Sequence, residues 1–572
     1  MVSTTVHWYA NQMTSTYRPL TADLAEPLYY LRNFQTVLDW VGERHGDLLA
    51  PEEMAFLDAF RALPEPSRAL LARMVMRKGE YFRRDRLGYR EVGDTADAMA
   101  PLISAGWVDG DPLLTLETLF ALCTRDELKS ALRQRLAERG LALSARKTVW
   151  LEALREDDEQ ARAAKAWGWD GVTVYQLRIR PLCDRLRLMF FGNLHQDWSE
   201  FVLAEQGTFL YETVPLPRAS RPFQSREEVD AYLDLAACRE QFDGDGEGDL
   251  ETLEQALLPR LEALPDNPWL RERGHKLLFK VARERERRGE EQAALDLYQR
   301  CHYAEARARE LRVLEKTGRY AEAYQLARTA EAEPRNEAEW QQVQRVLPRL
   351  QRKLGHPVRS AGAMPTHHEF ELTLPYYPWV ELAVRNHMRT ASEPVYYVEN
   401  TLINSLFGLL CWEALFAPLP GAFFHPFQSG PADLYRDDFV SRRRDLFARA
   451  LACLNDGSYR TVILQRFEEK YGYSSPFLFW DALDSELLTQ ALDCIPAEHL
   501  RLCFERLLAD PRANRSGLPD LIQLWPRQRR YRMVEVKGPG DRLQDNQRRW
   551  LDYFQQHDIP VAVCHVRWRE TE

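Results

Sequence analysis

Two carboxylates and a lysine near the end of the chain have the types and spacing that metal-assisted chemistry requires. Asp520 follows a proline, and Glu535 and Lys537 lie two positions apart further along. Carboxylate oxygens are the ligands that hard cations such as Mg²⁺ and Mn²⁺ prefer. A cation held there would neutralise a phosphate and activate a water, and a lysine on the same face would hold that water. These residues predict metal-dependent cleavage of a phosphodiester.

The segments around these residues predict a β-hairpin. Leu521–Trp525 and Met533–Val536 have the composition of strands, and a polar turn separates them. Because side chains alternate along a strand, Glu535 and Lys537 would share one face. Antiparallel pairing would bring Asp520 beside Glu535.

A helix is predicted to follow the hairpin over Leu543–Phe554, packed onto the sheet through its apolar residues Trp550, Leu551 and Phe554. The GP turn before it carries Asp541 and Arg542, which either form an ion pair across the turn or support the site from behind.

The motif alone is degenerate, because an exposed hairpin held by salt bridges can carry the same residues. Its order, Pro-Asp then Glu-x-Lys, is that of the PD-(D/E)xK nuclease superfamily. Its flanks, GLPDL and VEVKGPGDRLQDNQ, resemble the virus-type replication-repair nuclease domain of the Fanconi anaemia-associated nuclease family. VENTLINSLFGLLCWEALF (Val398–Phe416) and PFQSGPADL (Pro426–Leu434) resemble further parts of that domain.

The resemblance implies a complete site for Mg²⁺ or Mn²⁺. Lys537 would assist the attacking water, and Gln428 would orient a ligand or the substrate. Glu413 competes with Glu399 for the role of the carboxylate on the first nuclease helix, and the alignment favours Glu399. The implied metal ligands are three carboxylates and one backbone carbonyl: Glu399, Asp520, Glu535 and Val536.

The family further implies a structure-selective DNA nuclease, with 5′ flap endonuclease and 5′–3′ exonuclease activities in DNA interstrand crosslink repair. Its partner would be branched or flapped double-stranded DNA. A Holliday-junction resolvase or another PD-(D/E)xK nuclease is the alternative, although a resolvase would need a symmetric dimer. A non-enzymatic scaffold on DNA is disfavoured, because all three motif residues are intact.

Length and charge set the organisation of the chain. Its 572 residues exceed what one hydrophobic core supports, and its net charge of −10 means that DNA binding must use local basic patches. We expect a mainly α, multidomain protein. The expected domains are an N-terminal helical domain (1–110), a SAP-like DNA-binding region with a small β element (111–240), a TPR-like helical solenoid (241–356) and an α/β PD-(D/E)xK nuclease domain (357–572).

Basic residues in the N-terminal half are candidate DNA contacts. A helical region over 18–105 contains RMVMRKGEYFRRDRLGYR, and residues 118–156 resemble a SAP-type module whose first helix opens on a Thr124–Glu127 capping box. VTVYQLRIR predicts a strand with Arg178 and Arg180 on one face. Solvated helix and strand faces and an ordinary helical hairpin are the alternatives. With two arginines before the nuclease motif, the candidate contacts are Lys78, Arg83, Arg84, Lys129, Lys147, Arg178, Arg180, Arg512 and Arg515.

Two similar segments begin at Gly289 and Gly318 and predict TPR-like helical repeats, a surface on which protein partners could bind. The acidic, Gly-rich stretch Phe242–Asp249 predicts a loop before them. Helical periodicity fails over Leu354–Phe370, which predicts the boundary of the last domain.

The remaining signals concern the environment of the protein. Nine scattered cysteines without a CxxC pair indicate a reducing compartment and no zinc site. The zinc finger that recruits eukaryotic relatives to ubiquitin has no counterpart in the Cys/His spacing. The sequence shows neither a secretory signal nor a membrane span, so no membrane partner is expected. We expect a cytoplasmic, nucleoid-associated protein if the chain is bacterial and a nuclear one if it is eukaryotic.

Overall fold

The computed structural model describes residues 24–155, 160–207, 209–244, 249–358 and 367–569. The chain divides into two compact units, residues 1–229 with 424–427 and residues 230–423 with 428–572. Helices dominate the described residues, which confirms the mainly α fold. None of the described helices is both long enough and apolar enough to cross a membrane.

The first unit is built from short helices around one small sheet. Its strands β1 (Tyr81–Arg83), β2 (Val108–Asp109) and β3 (Val174–Leu177) lie in the order β1-β3-β2, and both pairings are antiparallel. Its helices are α1 Tyr29–His45, α2 Pro51–Ala62, α3 Glu65–Met76, α4 Thr95–Ser104, α5 Leu116–Leu122, α6 Arg125–Ala131, α7 Arg133–Glu138, α8 Lys147–Arg155, α9 Arg180–Phe191 and α10 Ser199–Glu205.

Continuous helix through the basic N-terminal stretch was a wrong prediction. Helix α3 ends at Met76, and the aromatic and basic residues that follow form β1, with Phe82 opposite Tyr175. The alternation of Tyr81, Phe82 and Arg83 has the period of a strand, and Arg83 is buried against Glu127. Pairing with a strand about 90 residues further along the chain therefore outweighed a local helical pattern.

The predicted strand over Val172–Arg180 was correct only in its centre. Strand β3 ends at Leu177, and α9 begins at Arg180, so Arg178 and Arg180 do not share a strand face. Pro181 explains the change, because proline is favoured in the first turn of a helix and interrupts a central strand.

The region that resembles a SAP module has the predicted local features. The Thr124 hydroxyl accepts from the Glu127 N–H, and Glu127 Oε2 accepts from the Thr124 N–H at 2.6 Å, which confirms the capping box. Gly140 has a φ of +63°, consistent with its predicted place after a helix end. Trp150 is fully buried in the core that closes this module.

The second unit contains the TPR-like helices and the nuclease sheet. Helix α11 (Arg226–Gly244) leads into it and includes Phe242–Gly244, which were predicted as loop; residues 245–248 of that loop lie outside the described residues. The further helices are α12 Leu250–Glu262, α13 Pro268–Arg287, α14 Glu291–Arg300, α15 Ala306–Lys316, α16 Tyr320–Ala332, α17 Glu337–Leu354, α18 Val380–Met388, α19 Leu402–Leu410, α20 Trp412–Leu415, α21 Phe439–Arg442, α22 Arg444–Asp456, α23 Tyr459–Glu469, α24 Ser485–Cys494, α25 Ala497–Ala509, α26 Pro511–Asn514 and α27 Asp545–Gln556.

The sequence repeat corresponds to equivalent positions in two helical pairs. Gly289 and Gly318 both adopt positive φ, at +79° and +76°, immediately before α14 and α16. Ala294 and Ala323 are fully buried in one continuous core. Small residues at these positions let neighbouring helices approach closely.

A five-stranded sheet forms the centre of the nuclease part. Its strands are β4 (Glu369–Leu374), β5 (Val395–Tyr397), β6 (Leu521–Trp525), β7 (Arg530–Lys537) and β8 (Val561–Trp568), in the order β4-β8-β7-β6-β5. The predicted hairpin is confirmed, although its turn lies at residues 526–529, earlier than expected. The predicted boundary before β4 falls largely on residues 359–366, outside the described residues.

A buried ion pair ties the PFQSGPADL segment to α22. Both oxygens of Asp433 accept hydrogen bonds from Arg443, at 2.8 and 2.9 Å, and both side chains have no exposed surface. Arg442 also donates to Asp433 at 2.5 Å. Removing one partner of such a pair leaves the other charge desolvated and unpaired.

We predict that Asp433→Asn lowers the free energy of unfolding of the unit by about 3–5 kcal/mol, because Arg443 remains buried without a counter-charge. Urea unfolding monitored by tryptophan fluorescence measures the effect. Glu413→Gln is the matched control: this carboxylate pairs with Arg466 but is 75% exposed, so the midpoint should hardly move. Equal midpoints for the two variants would contradict the assignment.

Candidate active site

The sheet brings the ends of several strands to one edge. Strands β4, β8 and β7 are parallel, β6 is antiparallel to β7, and β5 is antiparallel to β6. The carboxyl ends of β4, β5, β7 and β8 therefore share an edge with the amino end of β6. Ligands of open α/β sheets bind at the carboxyl ends of the strands.

Asp520 stands at this edge immediately before β6. It is 5% exposed, and its Oδ2 accepts a hydrogen bond from the Val536 N–H at 2.8 Å. Its own carbonyl accepts from the Val398 N–H at 2.7 Å, which ties it to the end of β5. The register that pairs Leu521 with Val534 places Asp520 opposite Glu535, as predicted.

A glycine explains the local sequence GLPD. Gly517 has a φ of +91°, and a Cβ there would lie 2.6 Å from the backbone carbon of Asn546. Only glycine permits both this conformation and this close approach. Gly517 therefore allows the turn that precedes Asp520 to pack closely against helix α27.

Glu535 and Lys537 occupy the end of β7. They are 1% and 7% exposed, and Lys537 Nζ lies 2.7 Å from Glu535 Oε1. Lys537 also donates to Gln547 Oε1 at 3.1 Å. Neither oxygen of Glu535 receives a well-directed hydrogen bond from the described residues. A buried carboxylate left in this state retains lone pairs for another ligand.

Glu399 lies beside this pair but in a different element from the one predicted. It was expected at the start of the first nuclease helix, yet α19 begins at Leu402 and Glu399 lies in the turn after β5. Its carboxylate accepts from the Tyr397 hydroxyl and from Asn400 Nδ2. Asn400 adopts a φ of +52° and accepts from the Leu518 N–H, which holds this turn near Asp520.

The competing carboxylate, Glu413, lies on α20 and forms an ion pair with Arg466. It contributes to none of the pKa shifts at the sheet edge that are described below, which supports Glu399 as the third carboxylate.

The electrostatics of the site show that the carboxylates repel one another. Burial, followed by the charge of Glu535 and then that of Glu399, raises the pKa of Asp520 to about 8. Burial also raises the pKa of Glu535, against the stabilising effect of Lys537. Glu381 on α18 raises the pKa of Glu535 further and is a fourth carboxylate that the sequence analysis missed. Burial and mutual repulsion therefore favour the protonated form of Asp520 at neutral pH when no cation is bound.

These residues fit a divalent cation. Oxygen ligands, clustered negative charge and unsatisfied lone pairs on Glu535 are the properties such a site needs. Within the described residues, no three acidic, His or Cys side chains are close enough to enclose an ion as they stand. The Glu399 carboxylate accepts a hydrogen bond from the Tyr397 hydroxyl, and a cation would compete with that partner for the carboxylate.

Gln428 lies in the loop before α21, and its predicted part in the site stays a prediction. Its Nε2 donates to the carbonyls of Ala422 and Gly430, each at 3.2 Å, so it stabilises the PFQSG loop. After the GP turn, Asp541 accepts from the Gly538 N–H at 3.0 Å. Arg542 is exposed and forms no ion pair with Asp541, so the first of the two alternatives for this turn, an ion pair across it, is not formed.

The candidate DNA contacts fall into two groups. Lys78, Arg84 and Lys129 are exposed and have no side-chain partner among the described residues. The other six already bind protein atoms. Arg83 binds Asp85 and Glu127, Lys147 binds the Cys123 carbonyl, and Arg178 binds Asp109. Arg180 binds carbonyls at the end of α3, Arg512 binds Glu272 and Tyr303, and Arg515 binds Tyr435 and the Pro476 carbonyl.

Four residues of the site were not anticipated. Tyr397, Asn400 and Gln547 hold Glu399 and Lys537, and Glu381 adds negative charge. The adjacency of Asn400 to Glu399 was the one available signal, because asparagine tolerates positive φ. The others depend on contacts between elements distant in the sequence.

We predict that the stability of the metal-free protein depends on pH through Asp520. Its folded-state pKa of about 8 lies above the ordinary value of 3.8, so folding favours the protonated form. The stabilising contribution is present below a pH of about 4 and is lost as the pH rises through 8. In EDTA, Asp520→Asn should raise the free energy of unfolding at pH 8.5 by about 1–3 kcal/mol and flatten the pH profile.

Denaturant unfolding at pH 5 and pH 8.5 measures this difference, with Asp481→Asn as a control in an exposed short helix. An asparagine variant that is less stable than the wild type at pH 8.5 would contradict the electrostatic assignment.

Three family models match the chain. Residues 454–568 match the VRR-NUC domain, residues 113–167 the Fanconi anemia-associated nuclease SAP domain, and residues 28–109 the FAN1 HTH domain. Asp520, Glu535 and Lys537 lie within the first of these ranges. Glu399 and Gln428 lie outside it, and their roles remain predictions. The SAP resemblance is confirmed. For the residues that match the HTH model, the sequence predicted a helical domain but not this family of domain.

Known relatives cover most of the chain. The Fanconi-associated nuclease 1 homolog of Pseudomonas aeruginosa is 53% identical over 95% of this chain and 97% of its own length. The homolog of Schizosaccharomyces pombe is 23% identical over 94% and 91%. Human Fanconi-associated nuclease 1 is 34% identical over 32% of this chain and 19% of its own length.

A solved structure extends the similarity to the fold. The crystal structure of paFAN1 bound to 2-nt 5′ flap DNA with a gap matches with a TM-score of 0.91 and 52% identity, over 96% of this chain and all of that one. These similarities fit the flap-nuclease interpretation and not the resolvase alternative. The chain therefore belongs to the Fanconi-associated nuclease family, whose members are metal-dependent nucleases.

Proposed function

We propose that this nuclease cuts 5′ flaps and trims DNA in the 5′ to 3′ direction, in the service of interstrand crosslink repair. The observation that carries the proposal is the buried set Asp520, Glu535 and Lys537 at one sheet edge with Glu399 beside it. The similarity to a protein solved with 5′ flap DNA supplies the substrate class.

The proposed cofactor is Mg²⁺ or Mn²⁺. Asp520, Glu535 and Glu399 would hold it, with the carbonyl of Val536, since oxygen ligands and clustered negative charge suit hard cations. When bound, the ion supplies positive charge to the scissile phosphate and acidifies the attacking water.

Lys537 is the group positioned to handle that water. Its ammonium group donates to Gln547 Oε1 and forms an ion pair with Glu535 Oε1 at 2.7 Å. The N–H donors that Gln547 does not use are available to hold the water or a phosphate oxygen on the same face. Gln547 on α27 fixes the direction of the ammonium group, so the helix after the GP turn contributes to catalysis by positioning Lys537.

Duplex arms would be held through their phosphates. Lys78, Arg84 and Lys129 are the exposed candidates with no partner among the described residues, so they can bind phosphates at no cost in existing contacts. For the other six candidates, DNA would have to displace the carboxylates and carbonyls that they bind at present.

The TPR-like helices are the proposed surface for protein partners. Trp340 on α17 is 49% exposed, and exposed tryptophans are frequent anchors of interfaces. The proposed location is the cytoplasm and nucleoid of a bacterium.

We predict that the wild type, in Mn²⁺, incises an end-labelled 5′ flap near its junction in preference to a 3′ flap, a four-way junction or plain duplex. EDTA should abolish the cleavage, and Asp520→Ala should reduce it by roughly a thousandfold, because the metal site is lost. Glu413→Ala, which removes an exposed carboxylate of the same domain, should cleave normally. Symmetric paired cuts in the four-way junction would contradict flap selectivity.

We predict that Lys537→Met lowers kcat by about a hundredfold or more while Mn²⁺ affinity stays close to that of the wild type, because lysine acts on the water and not as a ligand. Gln547→Ala should give a smaller loss in kcat, since it only orients Lys537. Single-turnover cleavage and metal titration separate the two effects. A variant that loses metal affinity in proportion to activity would show that Lys537 serves the metal site instead.

A further inference from the structure

Four aromatic side chains gather at the same edge of the nuclease sheet as the carboxylates. Tyr376, Tyr377 and Trp379 lie in the loop between β4 and α18, and they are 70%, 42% and 66% exposed. Tyr376 meets Trp568, the last residue of β8, in a T-shaped contact with ring centroids 5.4 Å apart. Single exposed aromatics are ordinary, but several of them at one edge of a sheet, two in ring contact, indicate a binding surface. We call these four residues the aromatic cluster.

The position of the aromatic cluster is fixed by the strands. Lys537 pairs with His565 of β8, and Leu374 pairs with Trp568, three residues further along that strand. The loop after Leu374 therefore leaves the same edge of the sheet at which Lys537 lies.

The start of helix α18 lies against the same site. Val380, next to Trp379, has its Cγ1 3.7 Å from the position that a Cβ on Gly538 would take. Glu381 is close enough to the site for its charge to raise the pKa of Glu535. The aromatic cluster therefore borders the active site.

We propose that the aromatic cluster is a stacking platform for unpaired DNA bases that lead into the active site. The proposal rests on the nuclease function proposed above and identifies how that site takes up the single-stranded part of its substrate. Every base has a π face, so aromatic side chains bind single strands with little sequence preference. Base faces are hidden inside a duplex, so the platform favours a flap over paired DNA.

Charge complementarity supports this occupant. Arg542 follows the GP turn directly after β7, is exposed, and has no side-chain partner among the described residues. The hydrogen bond from Gly538 N–H to Asp541 holds that turn at the end of the strand. Single-strand binding surfaces combine aromatic groups that stack on the bases with cationic groups that bind the phosphates. The end of β4 supplies the aromatic groups, and the turn after β7 supplies the exposed arginine. A protein partner on this surface would cover the approach to the carboxylates.

The test compares Trp379→Ala and Tyr376→Ala with Trp340→Ala, which removes a half-exposed indole from the TPR-like helices. Each full-length protein is titrated, in EDTA, with a fluorescent 5′ flap substrate carrying either thymidines or abasic sites in the flap. For the wild type, abasic flaps should bind roughly five- to thirtyfold more weakly. Trp379→Ala should bind the thymidine flap more weakly than the wild type by a similar factor, and it should bind the abasic flap as well as the wild type does. Trp340→Ala should bind both flaps like the wild type.

Rescue by Trp379→Phe would show that the ring, and not the loop conformation, carries the effect. Unchanged affinity in Trp379→Ala and Tyr376→Ala, or equal losses of affinity for thymidine and abasic flaps, would overturn the stacking proposal. The proposed function would still stand in that case, provided that the wild type cleaves 5′ flaps. If the wild type cleaves no 5′ flap, both proposals fall.

Discussion

Mutual repulsion among buried carboxylates is the constraint on which the nuclease part depends. Asp520 and Glu535 face each other across two strands with little exposure to water, and Glu399 and Glu381 add charge nearby. Burial and like charge both disfavour the ionised forms. A fold that keeps such a group together without a cation must offset this cost through packing and hydrogen bonds elsewhere.

The surrounding elements show how that cost is offset. The Val536 N–H and Lys537 stabilise the negative charges directly, and Gln547 in turn holds Lys537. Gly517 lets α27 approach the turn before Asp520, while Asn400 fixes the turn that carries Glu399. The buried face of α27 consists of Trp550, Leu551 and Phe554. Apolar packing therefore holds in place the helix whose Gln547 orients Lys537.

The sequence was most informative where a pattern is local. Alternation and turn chemistry predicted the hairpin and the opposition of Asp520 and Glu535, and flanking motifs identified the family. Predictions failed where distant pairing decides the structure. Tyr81–Arg83 became a strand because β3 lies beside it, and Glu399 lies outside α19 because its turn bonds to Leu518. Glu381 could not be found from the sequence, because only the folded sheet brings α18 to the end of β7.

The most direct test of the proposed cation site is calorimetric titration of the protein with Mn²⁺ at pH 7 in buffers of different ionisation enthalpy. We expect binding that releases about one proton per ion, because the pKa of Asp520 is about 8 before the cation binds. Asp520→Asn should lose both the release and most of the affinity. Binding without proton release, unchanged in Asp520→Asn, would mean that the cation site lies elsewhere in the chain.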